Sequence, residues 1–222
     1  MGSPVAVFIL VGDQPWASAM VESVGRVTGY PVVQMSDLNT PEVDGVDEVV
    51  RVPMRVPLMP YRIKHLALSP YREWVSFDTD IIVKKPLADV WERPFDVALT
   101  QRMEYKCLDP EGVDIAQFMP FNTGVMFSRE PAFWQECYEW LRRQTDAKQH
   151  WWGDQLAVAE VAARKRYHVL SLPGPVFNWT PNKEHDTSDQ ARVWHYKGPQ
   201  RKSWMTGEHV EHHATNRICN GR

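Results

Sequence analysis

The sequence predicts an α/β fold, in which one mostly parallel, mixed sheet is flanked by helices. The strongest single observation is the apolar run at residues 5–11, which ends at Gly12 and Asp13. A continuous apolar run closed by a turn predicts a strand buried on both faces. The second observation is that strand-like and helix-like segments alternate along the chain, as they do in such sheets. With 222 residues, of which 43% are hydrophobic, the chain has the size and apolar content of one domain.

The remaining elements follow from apolar spacing and turn residues. A helix is predicted at residues 16–28, because Met20, Val24 and Val27 fall on one helical face. Pro131 stands near the start of another helix, where its missing N–H costs nothing. Further strands are predicted at residues 31–35, 46–52, 74–83, 94–99, 122–128, 168–172 and 192–195, and further helices at 60–68, 131–144 and 153–166.

Two segments lack a regular pattern. Residues 101–120 show no clean period and are predicted to form an irregular excursion. The segment 205–222 is polar and rich in Gly, His and Asn, so we expect a mobile tail. The predicted organisation is therefore one domain at residues 1–204 followed by a tail at 205–222.

Charge and cysteine content narrow the class of protein. A net charge of −3 and a pI of about 6.2 give no positive field that would favour nucleic acid. The cysteines Cys107, Cys137 and Cys219 form no Cys-x-x-Cys pair, which argues against a zinc site or disulfide framework and for a reducing compartment. The first apolar run is too short to span a membrane and carries no signal-peptide pattern. We therefore expect a soluble, cytoplasmic protein without a transmembrane segment.

Asp78 and Asp80 are the main candidates for chemistry, because they interrupt the apolar segment 74–83. In an extended backbone alternate side chains point to one face, so both carboxylates are expected to project together. Two adjacent oxygen ligands predict a divalent cation and, through it, a phosphate-bearing substrate. Asp13 also follows a predicted strand. Ligands of α/β sheets bind beyond the carboxyl ends of strands, so Asp13 is expected at the same site.

His195 is the candidate third ligand, in a His-x-x-Gly segment that ends at Gly198. An imidazole can complete a carboxylate site, and mixed oxygen and nitrogen ligation favours Mn²⁺ over Ca²⁺, with Mg²⁺ as the alternative ion. The basic residues Lys197, Arg201 and Lys202 follow closely and are expected to neutralise phosphate charge. Taken alone, His195 is better explained as a hydrogen-bonded structural histidine. The neighbouring glycine and basic residues favour a ligand.

Four motifs, in their order along the chain, resemble those of GT-A-fold glycosyltransferases. The resemblance is greatest to glycosyltransferase family 8, which includes glycogenin and lipopolysaccharide galactosyltransferases, and it covers residues 5–204. The family also carries an Arg or Lys on a helix before the Asp-x-Asp strand, which Arg62 or Lys64 matches. The four motifs are Asp78-Thr79-Asp80, the Phe-Asn-x-Gly-Val strand at 121–125, Asp154-Gln155 and His195-x-x-Gly198.

The resemblance implies a single nucleotide-diphospho-sugar transferase domain that uses a nucleotide diphosphate sugar, most often a UDP-sugar, with retention of configuration. Asp78, Asp80 and His195 would hold the metal. The resemblance leaves the acceptor open among a glycan, a protein, a small molecule and a modified nucleic acid. Asn122, Asp154 and Gln155 would line the sugar pocket, Asp13 would lie near the base or ribose, and Arg62, Lys64, Asp78, Gly198, Arg201 and Lys202 would surround the diphosphate.

The chain departs from the family pattern after Gly198. The family usually continues His-x-x-Gly-x-x-Lys-Pro-Trp, whereas here the proline is missing and Trp204 comes one residue later. Arg201 and Lys202 therefore both remain candidates for the contact to the β-phosphate.

Two other functions and a structural explanation remain open. A phosphohydrolase of the haloacid dehalogenase type also uses Asp-x-Asp, but Ile82 stands where Thr or Val is usual, and 77 residues precede Asp78. A non-catalytic sugar-nucleotide or glycan-binding protein can share the same fold, since fold does not fix function. In the structural explanation, the aspartate pair only caps a strand and His195 is a structural histidine.

Overall fold

The computed structural model describes residues 3–103, 108, 112–150 and 152–206. The strands are β1 (Val5–Leu10), β2 (Val32–Ser36), β3 (Glu48–Arg51), β4 (Trp74–Phe77), β5 (Ile81–Val83), β6 (Val97–Gln101), β7 (Phe121–Ser128), β8 (Val169–Leu172) and β9 (Val193–His195). The helices are α1 (Ala17–Thr28), α2 (Leu58–Ala67), α3 (Ala88–Trp91), α4 (Pro131–Leu141), α5 (Asp146–Gln149), α6 (Gly153–Ala163), α7 (Gly174–Phe177) and α8 (Pro199–Thr206).

A mixed, seven-stranded sheet in the order β3-β2-β1-β4-β7-β6-β8 forms the centre of the described residues. β3, β2, β1 and β4 are mutually parallel, β7 is antiparallel to both of its neighbours, and β8 is parallel to β6. The carboxyl ends of β1, β4 and β6 therefore share one edge of the sheet with the amino end of β7. β5 and β9 form a separate antiparallel pair beside this edge.

Alternate side chains of the central strands pack into two hydrophobic cores, one on each face of the sheet. Phe8 of β1 packs with α1 on one face of the sheet, and its neighbour Val7 packs with α2, α4 and α6 on the other. This arrangement follows from the period of two in a strand, and it explains why β1 is apolar at every position. The helices on both faces confirm the predicted α/β class.

Most predicted elements are present, with one correction at the motif that carries the carboxylates. The segment 74–83 is two strands, because β4 ends at Phe77 and β5 begins at Ile81. Helix α8, at Pro199–Thr206, is not predicted by the sequence. A short 3₁₀ helix at Ala116–Phe118 lies in the predicted irregular excursion.

Several expectations concern residues outside the described part of the chain. Cys107, Cys219 and almost all of the predicted tail at 205–222 belong to this group. Cys137 is buried and forms no disulfide. Among the described residues, no helix has both the length and the apolar character needed to cross a bilayer.

Candidate functional site

Asp78 and Asp80 lie in a turn that connects the main sheet with the two-stranded sheet. The backbone N–H of Asp78 still donates to the carbonyl of Gly124 on β7, at 2.9 Å, and the chain then leaves the main sheet. The expectation that an extended strand aligns the two carboxylates was wrong. The turn directs them to the same place, because it closes between two strands that are both fixed by their partners, β7 and β9.

The two carboxylates converge on His195 at the end of β9. Nε2 of His195 lies 3.1 Å from Oδ1 of Asp80 and 3.6 Å from Oδ2 of Asp78. One ligand atom from each of the three residues lies within 4.8 Å of the other two. Two carboxylate oxygens and one imidazole nitrogen form a donor set that suits Mn²⁺ or Mg²⁺, so the residues present fit a divalent cation.

Arg62 on α2 connects the first carboxylate to the interior. Its Nη2 lies 2.6 Å from Oδ1 of Asp78, and its Nη1 lies 3.0 Å from Oδ2 of Asp154. The same guanidinium donates to the carbonyl of Thr123, at 2.7 Å, and the hydroxyl of Thr123 donates to Asp154, at 2.9 Å. The other oxygen of Asp154 accepts from the backbone N–H of Gln155, at 2.8 Å. Both oxygens of Asp154 are thus engaged, and its side chain is only 2% exposed.

The environment separates the pKa values of the two aspartates. Burial raises the pKa of Asp78, and the positive charge of Arg62 offsets only part of this effect. Burial acts in the same direction on Asp80, but His195 and Lys202 outweigh it and lower the pKa of Asp80 below its ordinary value. Burial would lower the pKa of Arg62, whereas Asp78 and Asp154 together raise it. The site therefore holds Asp80 ionised and Arg62 charged.

Helix α8 brings a second cation to the cluster. Nζ of Lys202 lies 3.1 Å from Oδ2 of Asp80 and 4.6 Å from the centre of the Trp16 ring. Arg201, next in the chain, instead donates to the carbonyls of Pro181 and Lys197, at 2.6 and 3.0 Å. Of the two candidate phosphate ligands, Lys202 is therefore the one that faces the carboxylates.

Asn122 and Gln155 lie near the starts of β7 and α6. Oδ1 of Asn122 accepts from the N–H of Gly124, at 2.8 Å, which fixes the side chain against its own strand. Oε1 of Gln155 accepts from the guanidinium of Arg102, which is also held by the carbonyl of Met119 at 2.8 Å. Arg102 follows β6, so it reaches Gln155 from the same sheet edge.

The overall fold recurs in solved glycosyltransferase structures. The apo structure of the bifunctional glycosyltransferase WbbM superposes with a TM-score of 0.61 and 16% identity, over 90% of this chain and 46% of that one. The galactosyltransferase LgtC, in complex with donor and acceptor sugar analogues, gives 0.59 and 14% identity, over 94% of this chain and 97% of that one. An LgtC active-site mutant with glutamate in place of glutamine gives 0.60 and 15% identity, over 91% and 95% of the two chains.

The chain has the GT-A fold. Its likeness to LgtC extends over nearly the full length of both chains, whereas it spans about half of WbbM. No protein-family profile matches the sequence, and a search of curated proteins finds no match either. The identities lie in the range where a common fold is shown and a common activity is not.

Two predicted nucleotide ligands, Asp13 and Lys64, form no ion pair or hydrogen bond with the carboxylate cluster in the described part of the chain. Asp13 is exposed after β1, in a cleft with Pro41 and Asp44, and its neighbour Gln14 accepts from the hydroxyl of Thr79, at 2.5 Å. Lys64 is two residues from Arg62 on α2, which places it about 200° around the helix axis. Among the described residues no ion pair joins Lys64 to the carboxylates. The assignments of both residues stay predictions.

Three further residues at the site were missed from the sequence. Arg102 had a detectable signal, because it follows a predicted strand at the carboxyl edge of the sheet. Thr123 stands in the variable position of the Phe-Asn-x-Gly motif, which marks its place but not its role. Asn178, whose Oδ1 lies 2.6 Å from Nδ1 of His195, follows the four-residue helix α7 and stands in no motif.

Proposed function

We propose that this chain is a metal-dependent glycosyltransferase that uses a nucleotide diphosphate sugar, with a UDP-sugar as the favoured donor and retention as the favoured outcome. The observation that carries the proposal is the convergence of Asp78, Asp80 and His195 at the ligand edge of a GT-A fold. Mn²⁺ or Mg²⁺ bound there would supply Lewis acidity to the departing nucleoside diphosphate.

The basic side chains around the cluster give it a preference for an anionic ligand. Arg62 and Lys202 each pair with one of the carboxylates, Arg62 at 2.6 Å from Asp78 and Lys202 at 3.1 Å from Asp80. They neutralise the carboxylates in the free protein and are in place to bind diphosphate oxygens when the carboxylates bind a cation. Gly198, with a φ of 85°, begins the turn into α8 and so helps to place Lys202.

Gln155 and Asn122 are the proposed contacts to the sugar. Gln155 is the glutamine that the chain holds beside Asp154, and an LgtC mutant at an active-site glutamine is among the similar structures. The guanidinium of Arg102 donates to the side-chain carbonyl oxygen of Gln155 and so orients this side chain. The amide nitrogen of Gln155 then points away from Arg102 and is the donor that the side chain offers. Asp154 acts through Arg62 and through the N–H of Gln155, because neither of its oxygens is free.

The experiment is a screen of nucleotide sugars for hydrolysis and for thermal stabilisation, with and without Mn²⁺. We expect one donor class to be hydrolysed only with the ion, and Asp80→Asn to reduce that rate at least about 100-fold. Asp146→Asn, a change at the exposed start of α5, is the matched control and keeps the full rate. Full Mn²⁺-dependent activity in Asp80→Asn would refute the metal assignment.

The same screen separates the two other functions. Stabilisation by a nucleotide sugar without hydrolysis or transfer identifies a binding protein. Hydrolysis of a generic aryl phosphate, abolished by Asp78→Asn, identifies a phosphohydrolase. An acceptor panel of glycans, peptides, small alcohols and hydroxylated nucleic acid then tests transfer with the donor found.

A further inference from the structure

The imidazole of His195 is held on its second nitrogen by a buried amide. Nδ1 of His195 lies 2.6 Å from Oδ1 of Asn178. Asn178 is 0% exposed and His195 is 3% exposed, so water does not compete for this contact. Nδ2 of Asn178 has no partner among the described residues. The amide therefore interacts with its surroundings mainly through the histidine.

The backbone fixes both members of this pair. The N–H of Asn178 donates to the carbonyl of Gly174 at 2.8 Å, and the N–H of His195 donates to the carbonyl of Trp179 at 2.7 Å. The backbone of β7 packs close to the ring, because a Cβ added at Gly124 would lie only 2.6 Å from Cε1 of His195. In this position Nε2 faces Asp78 and Asp80.

The orientation of the Asn178 amide decides which nitrogen of His195 carries the proton. An amide oxygen only accepts, so Oδ1 beside Nδ1 requires Nδ1–H, and in the neutral ring Nε2 then carries a lone pair. That lone pair faces Oδ1 of Asp80 at 3.1 Å, an arrangement that a cation between them makes favourable. The reversed amide would donate to Nδ1 and give Nε2–H, which hydrogen-bonds Asp80 and blocks the ligand position.

We propose that Asn178 is a positioning residue that holds His195 as the Nδ1–H tautomer and so keeps Nε2 available as a metal ligand. The proposal rests on the metal site of the proposed function and adds a residue that acts only through His195. An acceptor on the remote nitrogen of a ligating histidine fixes the ring and increases its basicity, and loss of such an acceptor typically costs 10- to 100-fold in metal affinity.

The first test reads the tautomer without metal or substrate. In alkaline buffer, where a free imidazole is neutral, the ¹⁵N spectrum of the full chain should show a protonated Nδ1 and an unprotonated Nε2 for His195. His195→Gln identifies the resonances by removing them. Asn178→Asp, which can only accept, should keep this tautomer, whereas Asn178→Leu should allow Nε2–H. A protonated Nε2 in the unchanged protein overturns the proposal.

The second test measures the affinity for Mn²⁺ alone, from the loss of the free-ion electron paramagnetic resonance signal. Asn178→Leu should weaken binding about 10- to 100-fold, and Asn178→Asp should keep or increase it. Asn182→Leu makes the same change at an exposed position four residues away and should have no effect. Equal affinity in Asn178→Leu and the unchanged protein contradicts the proposal.

The two tests separate this inference from the function on which it rests. If the unchanged protein binds no Mn²⁺, the metal assignment fails while the tautomer measurement still decides the role of Asn178. If Asn178→Leu does not fold, the Asn178→Asp variant and the spectrum of the unchanged protein decide instead. An Asn178→Asp variant that shows Nε2–H with tenfold weaker Mn²⁺ binding refutes the inference.

Discussion

Arg62 links the site to the protein interior, because it pairs with two carboxylates that differ in solvent exposure. The side chain of Asp78 is 26% exposed, whereas those of Arg62 and Asp154 are 12% and 2% exposed. Asp78 can therefore recover solvation if the guanidinium is lost, and Asp154 cannot. The contribution of Arg62 to stability therefore depends mainly on Asp154, whereas its contribution to the site depends on Asp78.

Removing Arg62 should destabilise the fold through Asp154. Arg62→Met leaves a buried carboxylate without its counter-charge, which typically costs about 3–5 kcal/mol. Asp154→Asn keeps an acceptor for Thr123 but removes the charge, so the double variant should lose at least about 1 kcal/mol less than the sum of the single variants. Urea denaturation of the four proteins measures this coupling. Additive losses would show that the ion pair carries no net interaction.

His65 should make stability depend on pH, independently of the site. Burial lowers the pKa of His65 to about 4, and the neutral ring packs edge-on against Tyr61, with centroids 4.3 Å apart. Nε2 of His65 has no hydrogen-bond partner among the described residues. The unfolded chain takes up a proton near pH 6.5, before the folded one does, so stability is lost as the pH falls from about 6.5 to about 4.

The variant His65→Leu isolates this effect, because leucine fills the space without a titrating group. Between pH 7.5 and 4.5 the unchanged protein should lose about 2 kcal/mol more than the variant. Urea denaturation at the two pH values gives the difference, and other titrating groups cancel in the comparison. If stability depended on pH in the same way in both proteins, His65 would take up a proton as easily in the folded protein as in the unfolded chain.

At the scale of elements, β7 supplies the surface against which the histidine ring is placed. Gly124 is the point of closest approach: an added Cβ would lie 2.6 Å from Cε1 of His195 and 2.8 Å from Oδ1 of Asn122. Gly25 on α1 is the contrasting case, because a Cβ there meets nothing within 4 Å. A glycine inside a strand often marks such a close approach, and here the approaching group is the proposed metal ligand His195.

Gly124→Ala should therefore displace His195 and weaken Mn²⁺ binding by at least tenfold, with a loss of stability of about 1–3 kcal/mol from overpacking. Gly25→Ala should stabilise the protein by about 0.5–1 kcal/mol, because alanine favours a helix interior, and should leave Mn²⁺ binding unchanged. Thermal denaturation and a Mn²⁺ titration measure both effects. Unchanged binding in Gly124→Ala would mean that the ring does not depend on the strand for its position.

The elements that the sequence predicted correctly are those whose burial is local and periodic. β1 and α1 appear within one residue of their predicted limits, because β1 is a continuous apolar run and the apolar side chains of α1 recur at the helix period. The break between β4 and β5 is not encoded in this way, since apolar strand formers stand on both sides of Asp78-Thr79-Asp80 and only their partners show that there are two strands. α8 was missed because its polar residues show no apolar face.

The residues of the site divide in the same way, into those that the sequence predicts and those that it does not. Asp78, Asp80 and His195 could be identified because their motifs resemble a family, and the structure brings them together from 115 positions apart. Asn178 could not, because its effect arises only from its contact with a ring on another segment. In general, a residue that acts only through a second residue produces no recognisable motif or spacing in a single sequence.

At the scale of the whole molecule, the three candidate ligands join two sheets. Asp78 and Asp80 leave the seven-stranded sheet, and His195 belongs to the two-stranded one. The small sheet is also attached through α1, where the hydroxyl of Ser23 accepts from the N–H of Val83 at 3.0 Å, and through the segment after α7, where the N–H of His195 donates to the carbonyl of Trp179 at 2.7 Å. A cation held by all three ligands would therefore add a direct connection between the two sheets, and Lys202 would connect α8 to the same cluster.

Mn²⁺ should consequently stabilise the protein and protect the second sheet most. An ion at 100 times its dissociation constant adds about 2.7 kcal/mol, which corresponds to a rise of about 5–11 °C in Tm for a domain of this size. Amide exchange should slow in β9 more than in β2, which lies far from the site. Asp80→Asn should show neither effect, and chelation should reverse both. A uniform slowing across both sheets would indicate that the ion stabilises the whole fold without joining its two sheets.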